Sequence, residues 1–221
     1  MIAKDLISET VPALRTSNTG SEALNWMEAF RVSHLPIVNN NSFLGLVSDT
    51  DIYDLNAPEE PLGNHQLSLM SPYVYYNQHI YSIIELASRL KLSVVPVLKE
   101  NKEYLGLITQ TDLLKNFAEL IAAHTPGGIV EIEVPSYDYS ISAITRIIED
   151  SDTKVLSFYV SQHENSNMLN ITIKLNREDI TPVLRAFDRY EYNVTASYSE
   201  YSAVDEVVKK NYDALIRYLN I

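Results

Sequence analysis

The stretch LGLVSDTDI at residues 44–52 decides the fold, because it returns almost unchanged as LGLITQTDL at residues 105–113. Both copies keep a glycine, a Ser or Thr hydroxyl and an aspartate at the same spacing. The match extends upstream, where RVSHLPIV at residues 31–38 aligns with KLSVVPVL at residues 91–98. Two copies are too few for a solenoid, so the sequence predicts a pseudo-symmetric pair of modules.

Each module has the same predicted order of secondary structure. Apolar residues at helical spacing in residues 21–30 and 81–90 predict one amphipathic helix per copy. A β-rich hairpin follows, with a polar turn that is one residue longer in the second copy, and helical spacing returns after the repeated motif. The predicted order is βαββα in each copy, with APEEPLGN at residues 57–64 as the linker. Modules of this size are marginal alone, so the two are expected to pack through their sheets.

The composition restricts the partners and the location of the protein. The chain has 221 residues, of which 46% are hydrophobic and 21% charged, which suits a protein of about two domains. Its net charge of −12 disfavours binding to DNA or RNA. Cysteine is absent from the sequence, and no apolar run reaches the length of a signal peptide or membrane helix. We therefore expect a soluble cytoplasmic protein without nucleic-acid or membrane partners.

The sequence offers no recognisable catalytic set. Its five histidines show no metal-ligand spacing, and it has neither a glycine-rich phosphate loop nor an assignable Ser, His and Asp combination. We therefore predict that the protein is not an enzyme, and we predict no catalytic residues, no metal and no required cofactor.

The repeated motif with its upstream proline resembles the CBS domain, named after cystathionine β-synthase, which occurs in tandem pairs. The resemblance covers roughly residues 1–124, as copies at about 1–60 and 64–124. It implies a regulatory cleft for an adenine nucleotide or derivative such as AMP, ADP, ATP or S-adenosylmethionine, and a homodimer. In such a cleft the hydroxyl and the aspartate contact phosphate and ribose, the apolar strands contact adenine, and a basic residue neutralises phosphate. The candidate site residues are Ser48, Asp51, Thr109, Asp112, Ile37, Val97, Arg31 and Lys91.

The motif also has a purely structural interpretation. Ser48 and Thr109 have the side chains of helix N-caps, and Asp51 and Asp112 then fall at the third helical position, where a carboxylate favours the positive end of the helix dipole. The sequence leaves the structural and the ligand-binding interpretation open.

The C-terminal half follows a different pattern. Alternation begins at Val130, Ile132 and Val134, and the order of elements that follows is βαββαβ, a ferredoxin-like sandwich. After a CBS pair, this order at residues 127–200 resembles the ACT domain, a small-molecule regulatory module. The turn PSYDYS at residues 135–140 lacks the glycine usual in amino-acid-binding relatives, which favours a role in assembly. Residues 201–221 are predicted to form a C-terminal helix with one apolar face.

The predicted fold class is therefore α+β, a CBS pair followed by an ACT-like domain, an arrangement similar to CBS–ACT proteins grouped with acetoin utilisation. The expected function is regulatory sensing of an adenine nucleotide, coupled to assembly or to an unknown downstream protein. Two alternatives stay open at this point. The protein is a structural homo-oligomerisation module with vestigial clefts, or it senses an amino acid through the ACT-like domain.

Overall fold

The structure is a computed structural model that describes residues 1–67, 69–162 and 166–199 of the chain. It divides into two compact units, with the boundary between Phe117 and Ala118. The predicted C-terminal helix at residues 201–221 lies outside the described residues.

The first unit contains both copies of the repeat. The first copy opens with a 3-10 turn at Ala3–Leu6 and continues with α1 at Gly20–Phe30, β1 at His34–Asn39, β2 at Ser42–Ser48 and α2 at Asp49–Tyr53. The second copy consists of β3 at Val74–Tyr75, α3 at Ile80–Leu90, β4 at Val94–Leu98, β5 at Tyr104–Thr109 and α4 at Gln110–Leu120. The predicted helix, hairpin and second helix are therefore present in each copy.

The first helix of each copy starts and stops at equivalent residues. Thr19 caps α1 by accepting from the amide of Glu22, and the Glu22 carboxylate accepts from the amide of Thr19 at 3.0 Å. His79 occupies the same position before α3. Both helices end at a residue in the left-handed conformation, Arg31 with φ 54° and Lys91 with φ 53°.

The leading strand differs between the copies. Val74 and Tyr75 pair in parallel with β4, and the amide of Tyr76 continues the ladder to the carbonyl of Leu98. In the first copy only Leu14 pairs with β1. Thr16 is the equivalent of Tyr76, and its amide donates to the side chain of Asn39 at 3.4 Å instead of to a strand carbonyl. The strand predicted at this position is therefore a single bridge in the first copy.

The predicted linker at residues 57–64 is packed rather than free. Leu62 is 1% exposed, and its amide donates to the carbonyl of Asn18. Gly63 donates to the carbonyl of Thr16 in the same way. The segment thereby donates hydrogen bonds to backbone carbonyls just before α1. Its content of proline and glycine does not indicate this packing.

The two copies share one hydrophobic core, as their marginal individual size predicts. The hairpins also meet at their turns, where Ser42 pairs with Glu103 and the amide of Tyr104 donates to the carbonyl of Asn41 at 2.8 Å. Phe43 and Tyr104 stack there with their ring centroids 6.4 Å apart. The copies therefore fold as one unit.

In the described part of the second unit, a four-stranded antiparallel sheet packs with two helices. Its elements are β6 at Ile129–Pro135, α5 at Ile141–Glu149, β7 at Val155–Gln162, β8 at Met168–Leu175, α6 at Thr181–Arg189 and β9 at Asn193–Tyr198. The strand order is β7-β8-β6-β9, which is the ferredoxin-like arrangement predicted from the sequence. Val130, Ile132 and Val134 are buried on the face that packs on the helices, as their alternation indicates.

Candidate functional site

The repeated motif builds the same hydrogen-bonded helix start in both copies. The hydroxyl of Ser48 accepts from the amide of Asp51 at 3.1 Å, and the Asp51 carboxylate accepts from the amide of Ser48 at 2.8 Å. In the second copy the Thr109 hydroxyl accepts from the amide of Asp112 at 3.0 Å. The prediction that Ser48 and Thr109 act as helix N-caps is therefore confirmed.

The capping bonds engage only one carboxylate oxygen of Asp51 and of Asp112. The hydroxyl of Ser48 donates to Oδ2 of Asp51 at 2.7 Å, and the hydroxyl of Thr109 donates to Oδ2 of Asp112 at 2.6 Å. Within the described ranges no group bonds to Oδ1 of either aspartate. Each aspartate therefore keeps one carboxylate oxygen that can accept hydrogen bonds from a ligand hydroxyl.

The motif of the second copy lines a cavity of about 250 Å³. Thr109, Gln110, Thr111 and Asp112 form one wall, at the first turn of α4. The first copy contributes to the lining as well, with the basic residue Arg31. The remaining lining residues are Ser8, Thr10, Val11, Phe30, Val32 and Ser93. The cavity thus combines a carboxylate, several hydroxyls, a guanidinium and the positive end of a helix.

The other candidate residues lie elsewhere. Ser48, Asp51 and Lys91 do not line this cavity. Ile37 and Val97 are 1% and 0% exposed and belong to the shared core, so neither has the exposed surface that contact with adenine requires. The structure thus brings together Arg31, Thr109 and Asp112, which come from different copies, and gives the two apolar candidates a packing role.

Sequence reasoning missed the N-terminal wall of the cavity. Ile7 lies against Gly106, and the amide of Ser8 donates to the carbonyl of Leu107 at 2.8 Å, which fixes this segment beside β5. Ser8, Thr10 and Val11 then border the cavity. The glycine of the motif indicates a close approach by another segment, but it does not indicate which one.

The corresponding segment before the second copy is shorter. Leu69 lies against Gly45 as Ile7 lies against Gly106. Four residues separate Ile7 from Pro12, but only two separate Leu69 from Pro72. The wall that supplies Ser8, Thr10 and Val11 therefore has no equivalent of the same length at the first motif.

A second cavity adjoins the first. It has a volume of about 640 Å³ and is bordered by α1, by Asp49 and by Tyr53. Arg31, Val32, Ser93 and Gln110 line both cavities. A ligand larger than the first cavity can therefore extend past Arg31 into the second.

His34 lies where the two copies meet. Its Nδ1 is 3.1 Å from the hydroxyl of Ser33 and 3.1 Å from that of Ser93, which is the equivalent residue of the second copy. Burial lowers the pKa of His34, and the nearby carboxylates of Asp49 and Asp51 oppose this shift. The neutral imidazole is therefore favoured in the folded protein.

The described ranges contain neither a cluster of metal-ligating side chains nor a helix suited to crossing a membrane. No group of three or more His, Asp or Glu side chains there could hold a metal ion. None of the helices in those ranges combines the length and the apolar character that a membrane crossing requires.

Comparison with known proteins identifies the repeated modules. The family model of the CBS domain matches residues 3–57 and residues 68–119, one match for each copy. Residues 120–221 lie outside both matches.

Three solved structures are similar to about half of this chain. A CBS domain pair/ACT domain protein from Thermotoga maritima is 22% identical, with a TM-score of 0.48, over 54% of this chain and 98% of that one. A Vibrio cholerae protein named for acetoin utilization (AcuB) is 23% identical, with a TM-score of 0.48, over 56% and 95% of the two chains. CBSX2, solved in complex with AMP, is 17% identical, with a TM-score of 0.46, over 53% and 96%.

Proposed function

Because residues 3–57 and 68–119 form a tandem CBS domain pair, we propose that this pair is a regulatory sensor of an adenine nucleotide or derivative. The ligand is AMP, ADP, ATP or S-adenosylmethionine, and it binds in the cavity lined by Thr109 and Asp112. The observation that carries the proposal is the cavity of about 250 Å³ in which Asp112 and Arg31 face one ligand space from different copies.

Each part of a nucleotide has a complementary group in this cavity. Oδ1 of Asp112 accepts hydrogen bonds from ribose hydroxyls, since only Oδ2 is taken by the cap. The first turn of α4 and the Arg31 guanidinium favour the negative charge of a phosphate. Val11, Phe30 and Val32 offer apolar contact to the base, a role the sequence assigned to Ile37 and Val97.

The position of the cavity between the copies supplies a regulatory mechanism. A ligand that contacts Arg31 of the first copy and Asp112 of the second stabilises the packing in which both are near. Such differential affinity shifts the population of the pair and any surface that depends on it. The proposal assigns the protein a regulatory rather than a catalytic role, in a cytoplasmic homodimer that acts on a downstream partner. The second unit, as an ACT-like domain at residues 127–200, serves assembly.

The proposal is tested by thermal melting of the full chain with AMP, ADP, ATP and S-adenosylmethionine. A ligand at ~100 times its Kd stabilises the native state by ~2.7 kcal/mol and raises Tm by roughly 5 to 10 °C. Asp112→Asn removes the charge that accepts the ribose hydroxyls, and we expect it to weaken binding about 10- to 100-fold. Asp51→Asn is the matched control, because Asp51 makes the same cap and does not line the cavity.

The two variants separate a ligand role from a folding role. Loss of the response in Asp112→Asn with a normal response in Asp51→Asn supports the proposal. A wild-type protein whose Tm responds to none of the four compounds overturns it. An equal loss of response in both variants overturns the assignment to the second motif.

A further inference from the structure

A third cavity, with a polar lining, lies at the turn of the first hairpin and includes none of the motif residues. It has a volume of about 470 Å³ and is lined by Ala13, Arg15, Val38, Asn39, Asn40 and Asn41. Its size falls within the ~300 to 1,000 Å³ typical of small-molecule sites. The proposed nucleotide site shares none of these lining residues.

The backbone around this cavity is fixed. Leu14 bonds to β1 on both sides, donating to the carbonyl of Pro36 at 2.8 Å and accepting from the amide of Val38 at 2.7 Å. The amide of Arg15 donates to the Asn18 side chain at 2.8 Å. The side-chain amide of Asn39 donates to the hydroxyl of Thr16 at 2.8 Å. The walls are therefore preorganised, and a ligand needs to order only a few side chains.

Among the described residues, the side-chain donors of Arg15, Asn40 and Asn41 have no partner, whereas the side-chain amide of Asn39 is bonded to Thr16. Across the described ranges, no carboxylate forms an ion pair with the guanidinium of Arg15. Asn40 and Asn41 form the two-residue turn with φ 46° and 64°, and no described residue bonds to their side-chain amides. These groups are available to a ligand without breaking an existing hydrogen bond.

The equivalent place in the second copy has the opposite character. A cavity of about 450 Å³ there is lined by Tyr76, Lys99, Glu100, Asn101 and Leu105. The amine of Lys99 is 2.9 Å from the carboxylate of Glu103, so its charge is neutralised, and Glu100 adds a negative charge. No carboxylate belongs to the described lining of the cavity beside Arg15. In a chain of net charge −12, the first hairpin thus keeps a local positive site that the second lacks.

We propose that the cavity beside Arg15, here called the Arg15 site, binds a small phosphate monoester with a polar, hydroxylated body, such as a sugar phosphate. The planar guanidinium of Arg15 suits two oxygens of a phosphate, and the turn amides donate to the rest. The volume of about 470 Å³ leaves room for an organic body beyond the phosphate. The side chains of Asn40 and Asn41 suit the hydroxyl groups of such a body, because each amide can both donate and accept.

The test is a titration of the full chain with ribose 5-phosphate, inorganic phosphate and ribose, followed by the NMR amide signals of Asn40 and Asn41. We expect saturable shifts with ribose 5-phosphate, weaker ones with inorganic phosphate and none with ribose. Arg15→Gln should weaken binding of ribose 5-phosphate at least ~10-fold, because it removes the charge and the bidentate geometry. Lys99→Gln is the matched control in the second copy and should leave the shifts unchanged.

Each outcome decides the proposal. Shifts that are absent, that persist in Arg15→Gln, or that disappear equally in Lys99→Gln overturn it. Asp112→Asn should leave the ribose 5-phosphate shifts intact, and Arg15→Gln should leave the thermal response to adenine compounds intact. Failure of the Arg15 site is therefore distinguishable from failure of the nucleotide proposal.

Discussion

The two copies of the repeat share a helix start but differ in the space around it. Ser48 with Asp51 and Thr109 with Asp112 form the same reciprocal bonds. Only the second set faces Arg31 across the cavity of about 250 Å³. The capping motif therefore specifies local structure in both copies, whereas the lining of this cavity depends also on the segments around the motif.

The difference arises from segments that do not repeat. Ser8, Thr10 and Val11 come from the longer segment before the first copy, and they serve the motif of the second. α2 has five residues and α4 has eleven, so the helix that borders the cavity is also the longer one. A motif match alone consequently does not predict a binding site.

The largest expected effect comes from the two motif glycines. An added Cβ at Gly45 would lie 2.6 Å from Cβ of Leu69 and 2.9 Å from the carbonyl oxygen of Met70. At Gly106 it would lie 2.4 Å from Cγ2 of Ile7. The Cγ2 methyl of Ile7 can be displaced by rotation about χ1, at a cost because the side chain is β-branched, whereas the Cβ of Leu69 and the carbonyl oxygen of Met70 move only with the backbone. We expect Gly45→Ala to lower the free energy of unfolding by about 3 kcal/mol and Gly106→Ala by about 2 kcal/mol, measured by urea denaturation.

A second substitution tests the cause of this difference. Ile7→Ala removes Cγ2 and should recover part of the loss in the Gly106→Ala background, because the clash is then relieved. If Gly45→Ala and Gly106→Ala lowered the free energy of unfolding equally, and Ile7→Ala recovered none of the loss at Gly106, the two glycines would have equivalent surroundings. The difference in packing between the copies would then be contradicted.

Much of the fold could be predicted because it depends on local patterns. Apolar spacing predicted α1 and α3, and strand alternation predicted β6. The polar turn predicted the hairpin of β1 and β2. The missing strand at Leu14 could not be predicted, since it depends on a hydrogen bond between Thr16 and the distant Asn39.

The site was less predictable for the same reason. The sequence indicates that Thr109 and Asp112 share one helix turn, which is a local relation. That Arg31 lies on the other wall depends on how two copies pack, and no spacing encodes it. Ile37 and Val97 are buried in the shared core, and the sequence did not indicate this, because an apolar strand residue looks the same in a sequence whether it lines a cleft or fills a core.

An intermediate effect is expected at His34, whose equivalent in the second copy is Val94. Burial lowers the pKa of His34 from its ordinary value of 6.5, so the unfolded chain binds this proton more readily than the native one. Stability contributed by the neutral imidazole is present above pH 6.5 and is lost as the pH falls through the lowered pKa. We expect the wild-type protein to lose more stability on acidification than His34→Val does.

The measurement is urea denaturation of both proteins in steps from pH 7.5 to 5. Titrating groups other than Asp49 and Asp51 contribute equally to the two proteins, so the difference between the curves reports His34 together with its interaction with these two carboxylates. In His34→Val the hydroxyl of Ser93 still accepts from the amide of Ser33 at 3.0 Å, whereas the hydroxyl of Ser33 loses its bond to His34, a loss that does not depend on pH. If the stability of the wild type and of His34→Val changed with pH in the same way, His34 would not contribute to the pH dependence, and the prediction would be wrong.

The smallest expected effect concerns an ion pair found on α3 but not on α1. Nε of Arg89 is 2.7 Å from Oε1 of Glu85, and the two side chains are 58% and 62% exposed. Glu85→Asn introduces the residue that α1 has at Asn25 and should cost at most about 0.5 kcal/mol from the ion pair, a part that disappears in ~1 M salt, while a small salt-independent loss from the lower helix propensity of Asn remains. Urea denaturation at low and high salt measures it. If Glu85→Asn lowered the free energy of unfolding by more than about 1 kcal/mol at both salt concentrations, Glu85 would stabilise α3 by more than its charge. The difference between the two copies would then include the surfaces of α1 and α3 as well as the cavities.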